Sequence, residues 1–419
     1  MPHKKDYFIL LLYITTSLFF IGMFVKHTTA LLTIGAYSSL LLCLCIFSFD
    51  WQEIKLKLMT LYKTYQILTI LTVAFLLFAF ITSVFASYHN FYMQSLGDLY
   101  KSLRYPIIFL FCTIVLSRSK FYIRYLYIIF FTTTFIILIV WPCILFFQDQ
   151  LDSSTLVKNG VVNLGFLAPF ILVTILIEKR KALTYLVSLT IALLFIYMIW
   201  SGSRSGFLAV SSSAIITGVA YAKKHQLSYK KIFLFCLFTL LSFFIVLSIA
   251  YHFSPRIQGK IHQTVTFKNF TSGRTTIVES RYPIISKYIG FWHGIGYGDT
   301  IYQTLLYEQN APKLYGEPNT MINGKQQFYY YHDEPQLLVI YYSFGIFGTL
   351  LYLVFFIYFA YQAWRNRTLP GTTGILSYAI FSALVSYFLL RGIVEHSGIT
   401  LLIWLVALQL TLTNHADKQ

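Results

Sequence analysis

The sequence predicts an all-α polytopic membrane protein with about twelve transmembrane helices and one large outward-facing loop. Three observations carry this. Of its 419 residues, 57% are hydrophobic and 11% are Asp, Glu, Lys or Arg, less than half the roughly 25% charged content of a soluble domain. Phe (40) and Tyr (33) together exceed one residue in six, which suits side chains that face lipid and its interfaces. Apolar runs of membrane-crossing length recur along the chain, a span needing about 17–25 mostly apolar residues. These features exclude a disordered chain and an ordinary soluble enzyme. The net charge of +17, from 32 basic and 15 acidic residues, fits either nucleic acid or the positive-inside bias of a membrane protein. In a chain this apolar the second explanation is the better one, and no nucleic-acid partner is expected.

Lys4 and Lys5 precede an apolar run from Tyr7 to Val25. It has the outline of a secretory signal without a small-residue cleavage site, and reads as a retained first helix. The candidate spans lie near 8–25, 30–49, 66–87, 103–117, 124–147, 160–177, 183–200, 205–222, 232–250, 336–361, 373–390 and 397–413. The fourth is short and the eighth is rich in small residues. An even number places both termini on the same side. With the N-terminus inside, the inward segments hold 18 basic residues, among them Lys55, Lys57, Arg118, Lys120, Arg124, Lys223, Lys224, Arg365 and Arg367. The short outward loops hold 6: Lys26, Lys101, Arg104, Lys158, Arg204 and Arg391. That three-to-one bias is what the positive-inside rule requires. The other 8 lie in the long loop, which the rule weighs lightly. All five cysteines fall in apolar runs, so no disulfide framework or thiolate metal site is readable.

The long loop, from about Tyr251 to Pro335, faces outside in this topology, and loops of such length usually have a role. The chain divides into a membrane bundle of nine spans (1–250), this loop with the expected catalytic residues (251–335), and three further spans (336–419). Within the loop, residues 274–292 carry apolar side chains at near-helical spacing, interrupted by Pro283. They predict an amphipathic helix on the outer membrane face, able to hold a lipid-linked substrate. A helix that only packs on the bundle fits the same apolar face.

Three basic features stand at the outer rim. Arg204, in the short connection WSGSRSGFLAV, is flanked by small residues. An ionisable side chain at that depth suggests function, although an arginine snorkelling to the interface reads the same way. Arg274 and Arg281, in SGRTTIVESRYPI, are seven residues apart and share a face of a continuous helix. Two guanidinium forks on one face suit a diphosphate; a solvated or headgroup-binding face is the plainer alternative. His332, in YYYHDEPQLLVI, precedes a helix expected to start near Pro335. A neutral imidazole there is a competent general base, and a lone histidine at such a junction is also commonly structural. His252, His262 and His293 lack metal-ligand spacing, and no metal or other cofactor is expected. The run HGIGYGD at 293–299 reads as a tight turn permitting close backbone packing. Arg391 and Glu395, four apart, form either an ion pair or an extension of a polar rim site.

In order, these segments resemble the O-antigen ligase family of Gram-negative bacteria. The likeness lies in the small-Ser-Arg-small motif at Ser203–Gly206, the arginine segment followed by GIGYGD, and His332 followed at once by a span containing FGIFGTLLYL. The RGIVE run at Arg391–Glu395 is similar to the ligases of enteric bacteria. The resemblance implies a transferase of the bacterial inner membrane, with cytoplasmic termini and a periplasmic active site. It would move a glycan from undecaprenyl diphosphate to the lipid A-core, inverting the anomeric centre without a metal, in lipopolysaccharide biosynthesis. Arg204 and Arg274 would match the diphosphate-binding arginines, with Arg281 competing for the second place, and His332 the catalytic histidine. Asp333 stands where relatives often have Asn. The tyrosines at 302, 307, 315, 329, 330 and 331 are candidates for stacking on sugar rings. Within the superfamily, an O-antigen polymerase and a protein O-oligosaccharyltransferase share this logic. A polysaccharide or lipid-carrier transporter is disfavoured, because such proteins place their sites near the midplane and the charges here cluster at the rim.

Overall fold

The apolar runs fold as helices because a backbone in lipid must satisfy its own hydrogen bonds. The computed structural model describes residues 2–25, 29–85, 92–119, 121–147, 162–177, 181–201, 204–224, a scatter of positions between 226 and 262, 274–314, 317, 319–322, 325–330, 332, 334–369, 371–389 and 398–412. The bundle begins with α1 (Pro2–Phe24), α2 (Thr29–Thr64), α3 (Gln66–Val84) and α4 (Tyr92–Leu116). Next come α5 (Tyr122–Phe135), which runs through a π turn into α6 (Trp141–Phe147), then α7 (Val162–Ile177), α8 (Lys181–Ser201) and α9 (Arg204–Lys224). After α10 (Arg274–Ile285) and α11 (Asp299–Glu308) the chain returns to long helices. These are α12 (Gln336–Asn366), α13 (Gly371–Ala383), extended by a π turn to Leu389, and α14 (Gly398–Leu412). Among the described residues, six helical segments are long and apolar enough to cross a membrane, and five more are apolar but shorter. The expected ninth span, 232–250, lies largely outside the described residues.

The bundle core is aromatic. Trp404 of α14 is fully buried and meets Phe19, Phe20 and Phe24 of α1 and Phe109 of α4 at ring-centroid distances of 5.6, 5.5, 5.7 and 3.9 Å. On α3, Leu68, Phe75 and Ala79 are buried on one helical face, and Phe75 stacks on Phe355 of α12 at 5.9 Å. At the opposite end from the long loop, α2 kinks at Asp50. Asp50 and Glu53 there engage Arg118 from the α4–α5 turn.

The helical class holds, with one addition and one corrected boundary. β1 (Asn319–Ile322) and β2 (Lys325–Phe328) add a short antiparallel ribbon with Asn319 opposite Phe328. The fourth helix begins at Tyr92 rather than near residue 103. Its polar first turns resemble a loop by composition, but they have partners. Ser95 Oγ accepts the Tyr297 amide at 2.8 Å, Ser102 Oγ accepts the Tyr297 hydroxyl at 3.1 Å, and Asp98 pairs with Lys101 at 2.9 Å.

Segment 285–342 has a small core of its own, built from Ile285, Ile295, Ile301, Tyr302, Leu305, Leu306, Tyr330 and Tyr342. It is keyed into α12 at a break. Gly345 has φ +73 and ψ −168, a conformation closed to residues with a Cβ. Into the gap comes the turn after α10: the Ile295 amide donates to the Tyr342 carbonyl at 2.8 Å, and the Phe347 amide to the Phe291 carbonyl at 2.9 Å. Backbone groups freed by the break are thereby satisfied within the protein, the condition for irregular backbone in a membrane-associated helix.

Candidate active site

His332 is positioned by two elements, α11 and α12. It lies three residues before Pro335, the residue that caps α12. Its ring stacks on Tyr302 of α11, with centroids 3.9 Å apart and planes 11° from parallel. Its Nδ1 is 3.5 Å from Oδ1 of Asp299, the first residue of α11. The imidazole is enclosed, with 10% of its side chain exposed, whereas the Asp299 side chain is 46% exposed.

Asp299 owes its place to the glycine run before it. Gly298 has φ +124, and a Cβ there would lie 2.3 Å from the Asp98 carboxylate of α4. Only glycine lets the chain pass so close to α4 and turn into α11. The Tyr297 ring, stacked on Phe344 at 5.7 Å, holds the other side of the turn. Within α11, Gln303 donates to Asp299 Oδ1 at 3.2 Å. The same Gln303 donates to the Tyr330 carbonyl at 2.7 Å and accepts the Tyr330 amide at 2.8 Å, fixing the strand that leads to His332. Tyr329 donates to Asp299 Oδ2 at 3.1 Å. Burial alone would raise the Asp299 carboxyl, but the hydrogen bond and charge of His332, with Gln303 and Tyr329, hold it below its usual range.

Behind the imidazole, the Tyr302 hydroxyl donates to the fully buried Glu334. Burial first, then the Glu334 charge, keeps the Tyr302 phenol far above its ordinary value, so it remains a donor. Glu334 also stands just ahead of the positive end of α12, where a carboxylate is favoured.

Arg281 is elsewhere, and its expected role as a diphosphate ligand needs correcting. It is fully buried on the face of α10 that carries Ile277 and Ile285. Its Nη2 reaches both carboxylate oxygens of the equally buried Glu317 at 2.8 and 3.0 Å, and its Nη1 donates to the Pro312 carbonyl at 2.6 Å. The Tyr330 ring lies 4.7 Å beneath the guanidinium. A fork committed in this way braces the loop and presents nothing to a ligand. The expected amphipathic helix likewise ends early. Beyond Ile285 there is one 3-10 turn, Ser286–Tyr288, so Trp292 falls outside it and is exposed.

Of the candidate tyrosines, Tyr302 and Tyr330 are buried packing residues, and Tyr307 is exposed. Arg204 and Arg274 are the first residues of α9 and α10, but their side chains lie outside the described residues. So do Arg391, Glu395, Tyr315, Tyr331 and Asp333. Asp299, Gln303 and Glu317 were not singled out in the sequence. Asp299 has a local signal in retrospect, an acid opening a helix directly after a glycine.

Residues 189–353 match the family model described as O-antigen ligase. The chain carries an O-antigen ligase family domain. The domain contains α9 to α11, the ribbon, His332 and the first half of α12, so the matched segment and the assembled histidine site coincide. A comparison with curated proteins finds no match. The match covers less than half of the 419 residues, in a chain with six helices long and apolar enough to cross a membrane among its described residues.

Proposed function

We propose that the protein is an O-antigen ligase, a glycosyltransferase that moves O-polysaccharide from undecaprenyl diphosphate to the lipid A-core on the periplasmic face of the bacterial inner membrane. The observation that carries this reading is the enclosed His332, stacked and carboxylate-paired inside the family-matched segment. His332 takes the proton of the acceptor sugar hydroxyl as that oxygen attacks the anomeric carbon of the donor. The bond from that carbon to the diphosphate oxygen breaks, and undecaprenyl diphosphate leaves with the electron pair. Attack opposite the leaving group inverts the centre.

Arg204 and Arg274 bind the diphosphate. Each opens a helix, where first-turn amides favour an anion, and a guanidinium is the side chain suited to phosphate oxygens. Their charge offsets that of the leaving group, and the step needs no divalent cation. Arg281 supports them by holding α10 to the loop, and Arg391 and Glu395 extend the rim of the site.

Two experiments test the proposal. H332A is expected to abolish transfer at wild-type abundance in the membrane, and near-normal transfer would overturn the role of His332. In cells lacking the protein, lipopolysaccharide should be bare core, with full-length polymer retained on the lipid carrier. Core bearing a single repeat unit would instead identify a polymerase.

A further inference from the structure

We infer that Asp299 is a positioning residue for the transfer step, holding the His332 imidazole so that Nε2 accepts the proton of the acceptor hydroxyl. The inference rests on His332 being the general base and adds the group that makes it one. The Asp299 carboxylate lies 3.5 Å from Nδ1, and an ionised carboxylate at that nitrogen favours the tautomer with its proton on Nδ1 and its lone pair on Nε2. When Nε2 takes the acceptor proton, the imidazolium forms beside a negative charge and is stabilised by it. No proton moves to Asp299, so the balance of the reaction is unchanged.

The carboxylate is itself oriented. Gln303 and Tyr329 donate to its two oxygens, one each, and the glycine turn against Asp98 sets the start of α11. One face of the imidazole is covered by Tyr302, whose hydroxyl donates to Glu334. The ring is therefore fixed in plane by the stack and in rotation by the carboxylate, two constraints from one helix.

The test uses the full-length protein in detergent, with carrier-linked polysaccharide and lipid A-core extracted from cells lacking it. D299N keeps the shape and an acceptor oxygen but removes the charge. Its expected effect is a fall in kcat of about 10- to 100-fold, with KM for both substrates within about threefold, and partial recovery of kcat in D299E. A purely structural role would instead lower the amount of active protein without this split. Should D299N fail to accumulate, D299S is judged by the same criterion. Wild-type kcat in D299N beside an inactive H332A overturns the positioning role and leaves His332 as the base. Near-normal activity in H332A overturns both.

Discussion

Removing the Arg281 guanidinium would leave the Glu317 carboxylate charged and enclosed, since both side chains are fully buried. R281M is therefore expected to destabilise the protein by about 3–5 kcal/mol. R281M/E317L should recover most of that loss, because replacing both partners removes the orphaned charge. Thermal unfolding in detergent checks this, and loss of activity in R281M at full stability would instead mark Arg281 as a ligand. Asp299 gives a pH dependence. Its folded pKa lies below the ordinary carboxylate value, so its stabilising contribution is present above about pH 4 and is lost as the pH falls through the lowered value. The difference in melting temperature between wild type and D299N should accordingly shrink as the pH is lowered through that value. A gap that widened toward low pH would contradict this. The half-exposed carboxylate makes the effect small.

Among the elements, α12 carries the most specific demand. A Cβ on Gly345 would lie 2.6 Å from the His293 carbonyl and 2.7 Å from that of Gly290, both backbone atoms that cannot swing aside. G345A is expected to cost about 1–3 kcal/mol from backbone strain alone, and to weaken transfer by unseating the turn that delivers Asp299. Unchanged melting temperature and activity would show that the break in α12 is dispensable. The FGIFGTLLYL run could be recognised in the sequence as a motif, yet its reason could not. The positive φ matters only because a segment fifty residues earlier in the chain enters the gap. The start of α4 teaches the same lesson: Ser95, Asp98 and Ser102 read as a polar loop until the glycine turn supplies their partners. His332 and the capping Pro335 were legible because they sit at a junction marked by local chemistry, and α10 was legible except for its end.

For the whole molecule, the positive-inside count predicts an inward N- and C-terminus, an expectation that topology reporters test directly. A fluorescent protein fused at the C-terminus should fluoresce, and alkaline phosphatase at the same place should be inactive. A short epitope inserted beside the exposed Tyr307 should be reached by antibody added to spheroplasts. The opposite pattern would place the candidate site on the cytoplasmic side and remove the proposed substrates from its reach. The two hydrophobic cores fit a division of labour between a bundle that anchors and a loop unit that carries the histidine.

The sequence by itself determined that this is a helical membrane protein, where most of its helices run, and that residues 189–353 match the family model described as O-antigen ligase. Each of those properties is written locally, because transfer into lipid acts on one segment at a time and a motif is read in order. Only the tertiary structure decided that Arg281 is spent on Glu317, 36 residues away, and that His332 is held by Asp299 and Tyr302. Those pairings come from a loop closing over its own small core and docking into a broken helix. A buried charge takes whichever opposite charge the closed chain brings to it, and no periodicity along the sequence records that choice.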